Sequence, residues 1–134
     1  MTEKEIRNRL EALGWFDIHI NFLKEQVVKY EKQIQIRKNQ GRFFDMQEMH
    51  RDFALRRMQE VKQYKEGILQ FVNQYSADQE DCELLLKRYQ ERKTNTELAD
   101  ELFYSERTII KKVGKAIKAI TENAKDADAK DFPY

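Results

Sequence analysis

Apolar residues at Ile6, Leu10, Leu13, Phe16, Ile20, Leu23, Val27, Tyr30 and Ile34 recur at steps of three and four, and from Leu13 onward the alternation is unbroken. That spacing is a heptad seam, and it predicts one long helix with a single apolar stripe. Thr2 and Glu5 stand three apart ahead of it, the separation at which a hydroxyl and a carboxylate cap exposed backbone N–H groups. Gly14 lowers helix propensity locally without breaking the pattern. The run stops at Asn39-Gln40-Gly41, where glycine can take the left-handed conformation that closes a helix. A second run starts near Phe43 and continues through Phe44, Met46, Met49, Phe53, Met58, Val61, Tyr64, Ile68, Phe71, Val72 and Tyr75, interrupted by Arg56 and Arg57. Two helices of about 35 and 32 residues each reach roughly 50 Å at about 1.5 Å per residue, which predicts an antiparallel hairpin.

Beyond residue 75 the periodic stretches shorten. Ser76 and Gln79 have capping-box spacing, so a third helix is expected from there, carrying Cys82, Leu85, Leu86 and Tyr89 inward. Thr94 and Glu97 repeat that spacing and predict a helix beginning at about Asn95, with Leu98 and Leu102 on one face and the small Ala99 beside them. Ser105 then reads as a fresh N-cap for a helix whose stripe is Ile109, Val113, Ala116, Ile117 and Ile120. A short helix and a long one joined across Phe103 and Tyr104 make a helix-turn-helix. The expected fold is all-α: a long, coiled-coil-like antiparallel hairpin over residues 1–75, then a helix-turn-helix domain over 76–121. Residues 122–134 are small and charged without periodicity and are expected to be a disordered tail, with Phe132-Pro133-Tyr134 at its end.

The face opposite the last stripe carries the functional signal. At about 100° per residue, Arg107, Lys111, Gly114 and Lys118 share one side of that helix, with Lys115 next to them. From Arg107 to Lys118 there are five basic residues and no acid. A long helix with a capped N-terminus and a cationic outer face has the form of a major-groove reader: its cations and positive end meet phosphates, and its first turn meets base edges. The net charge of +1 does not reveal this. Residues 76–134 hold 11 Lys/Arg against 13 Asp/Glu, so the DNA reading rests on a local face and not on bulk basicity.

Composition narrows the remaining classes. A chain of 134 residues with 37% charged residues, one Pro and four Gly fits a helical protein of one domain or two small ones. No apolar run approaches the roughly 20 residues of a bilayer span, so a cytoplasmic protein without a membrane partner is expected. Cys82 is the only cysteine, which excludes an intramolecular disulfide and a cysteine-cluster zinc site. His19 and His50 pair with no nucleophile and have no metal-ligand spacing. No catalytic residue, metal, cofactor or small-molecule substrate is expected. Each hairpin helix buries only one stripe, and Trp15, Phe16, Phe43, Phe44 and Phe53 supply more aromatic surface than two helices cover. The stripe can be covered by self-association, by folding back on the C-terminal domain or by a helix of another protein, with at least half of it serving as plain intramolecular core. A homodimer through Leu13, Phe16, Ile20, Leu23, Val27, Phe53, Met58 and Val61 is the expectation.

Glu83-Leu84-Leu85-Leu86-Lys87-Arg88-Tyr89, then Thr94-x-x-Glu97-Leu98-Ala99, then Ser105-Glu106-x-Thr108-Ile109 and Lys112-Val113 resemble the promoter-reading helix-turn-helix of bacterial sigma factors, region four. They are still more similar to small sigma-like regulators of phages and prophages, the ArpU-type and RinA-type late-gene regulators. The resemblance covers roughly residues 79–120 and implies a transcription regulator that binds double-stranded DNA, with RNA polymerase as a further candidate partner. It implies base or phosphate contacts by Ser105, Glu106, Arg107, Thr108 and Lys111, and backbone phosphate contacts by Lys112, Lys115 and Lys118. Arg92 and Phe103 stand where such modules usually carry glycine, and Arg107 where sigma factors often do. The alternatives are a terminase small subunit or other DNA-packaging protein, and a module that docks on RNA polymerase or a host factor.

Overall fold

The computed structural model describes residues 1–125, and among them the chain forms five helices and no strand: α1 (Glu3–Asn39), α2 (Asp45–Tyr75), α3 (Gln79–Tyr89), α4 (Asn95–Leu102) and α5 (Glu106–Asn123). It divides into two compact units. One joins residues 1–15 to the chain from Tyr64 onward, and the other is residues 16–63.

The helix limits follow from local chemistry. At the start of α1 the Glu5 N–H donates to Thr2 Oγ1 at 3.2 Å. The helix ends on Gly41 at φ +67, where the left-handed turn lets the Arg42 N–H reach the Arg37 carbonyl at 2.8 Å. Thr94 and Ser105 cap α4 and α5 by accepting from the Glu97 and Thr108 N–H groups, each at 3.1 Å. The capping box at Thr94 is half made: Glu97 bonds the Thr94 hydroxyl at 3.2 Å and not its backbone N–H.

The start of α3 differs from the expectation. Asp78, not Ser76, is its N-cap, accepting from the Asp81 N–H at 2.8 Å. Ser76 instead donates its hydroxyl to the Val72 carbonyl at 2.6 Å and so finishes α2. A serine that follows a helix end can serve either neighbour, and here the free carboxylate of Asp78 takes the cap. The buried face of α3 is Cys82, Leu84, Leu85 and Tyr89, with Leu86 only half-buried.

In the first unit, α3 and α4 both pack on α5, whose Ile109, Ala116, Ile117 and Ile120 are completely enclosed. Leu98 and Leu85 are likewise at 0% exposure. The unit also takes in Ile6, Leu10 and Leu13 from α1 and Ile68, Phe71 and Val72 from α2. Gly14 has a specific place in it. A Cβ there would lie 2.8 Å from both the Tyr89 carbonyl oxygen and Arg92 Cγ, so α1 can lie against the end of α3 only because residue 14 has no side chain. Next to it the Arg92 guanidinium covers the Trp15 ring at 4.2 Å. The end of α5 is also fixed: Asn123 Nδ2 donates to the Tyr75 carbonyl at 2.9 Å, and Ala124 is buried. The expected disordered tail therefore starts too early at residue 122, and the rest of that expectation, Phe132-Pro133-Tyr134 included, lies outside the described residues.

In the second unit, α1 and α2 are linked across Gln40–Phe44. Arg37 donates to the Phe43 carbonyl at 3.1 Å, Lys38 lies over the Phe44 ring at 5.2 Å, and Tyr30 stacks on His50 with centroids 5.3 Å apart. Most of the seam assigned to oligomerisation is internal. Leu13, Phe16, Ile20, Leu23, Val27 and Val61 are all buried within a single chain, while Phe53 is exposed and Met58 half-buried. A heptad seam is satisfied equally by a partner helix from the same chain or another, and here the same chain fills it. The open apolar surface of this unit shares only Phe53 with that set and includes Ile18, Phe22, Phe43, Met46 and Met49.

Candidate nucleic-acid interface

The candidate face is the side of α5 turned away from its core. Arg107, Lys111, Lys115 and Lys118 are all exposed, and among the described residues none of the four makes an ion pair. On the same helix the opposite stripe from Ile109 to Ile120 is fully enclosed or nearly so. That contrast fixes the rotation of α5 about its own axis, because burying five apolar side chains leaves the cations no other direction. At the N-terminal end, Ser105 and Glu106 are exposed and Thr108 is half-buried. The hydroxyls of Ser105 and Thr108 lie 2.8 Å apart and bond each other, so both are engaged at the cap.

Lys112 does not belong to this face. It is half-buried, its ammonium sits 4.7 Å from the Tyr104 ring, and it lines a small cavity with Asp81, Leu84 and Leu102. It is the nearby cation that opposes the upward shift of the Asp81 carboxyl, which burial and the neighbouring Asp78 and Glu80 push above its ordinary value. Lys112 thus balances acid from α3, about 100° around the helix from Lys111 on the outer face. The sequence shows the reason: Lys112 adjoins Val113 and so falls between the cationic and apolar sides.

Two residues on the open face were not singled out as contacts. Ile110 is 53% exposed, displaced from the buried stripe although it adjoins Ile109. Gly114 has nothing within 4 Å of where its Cβ would stand. Angular position along the helix is the signal for Ile110; an apolar residue beside a stripe is easily absorbed into it.

Of the acids near the site, Glu106 is exposed in the first turn of α5, whereas Glu101 is neutralised. Glu101 on α4 accepts from Lys87 Nζ at 2.9 Å and from Lys93 Nζ at 2.6 Å. Those two donors hold its carboxyl down at about 2, against an ordinary 4.5. Because the folded value is depressed, the stabilisation is complete above about pH 4.5 and is lost as pH falls through about 2. Glu101→Gln should therefore flatten the acid-side decline of the thermal midpoint across that window, which a series of melts in graded buffers would record.

The turns before α4 and α5 also have an unusual backbone. Among the described residues Arg92 (φ 57) and Phe103 (φ 60) are the non-glycine residues with positive φ, each following a helix end. A left-handed L-residue costs about 1–2 kcal/mol, and replacing it by glycine returns roughly 0.5–1 kcal/mol of that as chain entropy in the unfolded state. Phe103 is 94% exposed and packs on nothing that would be lost. Phe103→Gly should therefore stabilise the protein by about 0.5–1 kcal/mol, read as a higher urea midpoint at unchanged slope. Arg92→Gly should give no such gain, since Arg92 covers Trp15.

Buried Cys82 lies within the core of the first unit, where burial pushes its thiol above the ordinary value. Among the described residues no cluster of His, Cys, Asp or Glu could hold a metal ion, and no helix is long and apolar enough to cross a membrane. Comparison with protein-family models, curated proteins and solved structures gives no match.

Proposed function

We propose that this chain is a non-enzymatic, sequence-specific DNA-binding transcription regulator of phage or mobile-element type, reading the major groove with α5. The observation that carries the reading is the set of four solvent-facing cations, Arg107, Lys111, Lys115 and Lys118, without an ion pair among the described residues, on a helix whose other side is fixed by burial. Exposed cations along one helix face suit a polyanion, because none of them has a described acidic partner that a phosphate would have to displace. In this reading α4 and α5 form the helix-turn-helix, α3 supports it, and α1 with α2 form a hairpin. The left-handed backbone at Arg92 and Phe103 supports the likeness to sigma-like modules, since those are the positions at which such modules usually carry glycine.

Association would use the open apolar set of the second unit, above all Met46, Met49 and Phe53, which recur along one side of α2. The same surface favours a second reading, a module whose hairpin docks on RNA polymerase or a host factor. Solution mass separates a dimeric regulator from a large DNA-packaging ring. The test of the main reading is selection of bound duplexes from random DNA at low salt. Enrichment of one motif, in two inverted copies for a dimer, is the expected result; recovery no different from the starting pool would overturn the reading.

A further inference from the structure

We propose that the outer face of α5 reads a thymine: Ile110 packs on the base's 5-methyl group, and Gly114 lets the duplex come close enough for it to do so. The inference rests on the DNA reading above and names the chemistry of that same face.

Ile110 lies three residues after Arg107 and one turn before Gly114, with Lys111 beside it and Lys118 one turn beyond Gly114. It is 53% exposed, an apolar side chain open to water between Glu106 and Arg107 on one side and Lys111 on the other. An apolar docking patch for another protein would extend along the helix to further apolar neighbours; on α5 Ile110 is followed one turn on by Gly114 and is flanked by Glu106 and Arg107 a turn before it and by Lys111 beside it. The ligand that matches it has anions at its edges and an apolar group at its floor. A major groove has that layout where phosphates form the walls and a thymine methyl projects between them.

Gly114 supplies the second, independent observation. Mid-helix glycine costs about 0.5–1 kcal/mol relative to alanine. Among the described residues nothing lies within 4 Å of where a Cβ on Gly114 would stand. No described neighbour requires glycine there, and the position falls on the cationic face. Gly14 is the opposite case, where the neighbour that excludes a Cβ is internal.

The experiment uses the full chain and a duplex recovered by selection from random DNA, resynthesised with deoxyuridine in place of each thymidine in turn. One substitution should weaken binding by about four-fold, the factor for losing one buried methyl group. Ile110→Ala, at an exposed position, should fold normally, bind the thymidine duplex correspondingly less well and no longer distinguish it from the deoxyuridine duplex. Gly114→Ala should raise the melting temperature and yet bind at least about ten-fold more weakly. The inference is overturned if deoxyuridine is tolerated at every position, if Ile110→Ala keeps the distinction, or if Gly114→Ala binds as the parent does. Those results leave DNA binding standing, whereas a parent that retains no duplex at low salt overturns both readings together.

Discussion

Arg107→Ala is expected to lower affinity for the selected duplex by about 1–3 kcal/mol, roughly 5- to 150-fold, and to relax discrimination at one base pair. The guanidinium is exposed in the first turn of α5, ahead of the other cations, and makes no ion pair among the described residues. Arginine can donate two parallel hydrogen bonds to guanine, so its loss removes a sequence-dependent contact. Lys115→Ala should behave differently. A lysine further along the helix meets a phosphate as a point charge, so all sequences should weaken alike and the salt dependence should flatten by roughly one phosphate equivalent. Binding isotherms at several salt concentrations, on the selected and a scrambled duplex, distinguish the two. If both variants bind as the parent does, α5 is not the contacting helix.

Gly14→Val should destabilise the fold by about 3 kcal/mol. The position is helical, and alanine there would normally gain about 1 kcal/mol in propensity. That gain is outweighed because the added Cβ would meet the Tyr89 carbonyl oxygen at 2.8 Å, a backbone atom at the end of a packed helix that cannot swing aside. Arg92 Cγ, equally close, is held by its guanidinium on Trp15. Overpacking of this kind costs about 1–3 kcal/mol for the first carbon, and valine adds two more while recovering little propensity. Denaturant unfolding gives the number directly. Stability equal to the parent would mean that α1 does not approach α3 as described.

These sites differ in how far the chain announces them. The limits of α1, α4 and α5 were legible because capping is a matter of residues three apart: Thr2, Thr94 and Ser105 each bond the N–H that spacing assigns. The enclosed stripe of α5 was legible for a similar reason, since Ile109 to Ile120 repeat at helical period over three turns. Ser76 was misread because two capping-competent residues, Ser76 and Asp78, stand close together and only the fold decides between them. Leu84 and Leu86 were exchanged because three successive leucines leave the helix phase open. The exchange of inner for outer surface in the long helices has another cause. A heptad seam specifies that a helix will be covered but not by which helix, so Leu13 to Val27 satisfied the pattern while serving the chain's own core.

At the candidate interface, Arg107, Lys111, Lys115 and Lys118 could be placed from periodicity alone, because an apolar stripe determines its opposite side. Lys112 could not, since its direction depends on Tyr104 and Asp81, which the fold brings to it. Gly14 is the plainest limit. Its neighbours are Tyr89 and Arg92, more than seventy residues further along, and no local pattern foretells them.

The central claim is that the cationic side of α5 lies against DNA. It is tested most directly by following the backbone amide resonances of the labelled protein as a selected duplex is added. The expected result is that the largest shifts fall on Ser105, Glu106, Arg107, Ile110, Lys111, Gly114 and Lys118, while the amides of Ile18, Phe22 and Met49 stay in place. Shifts confined to α1 and α2, or none at duplex excess in low salt, would contradict it.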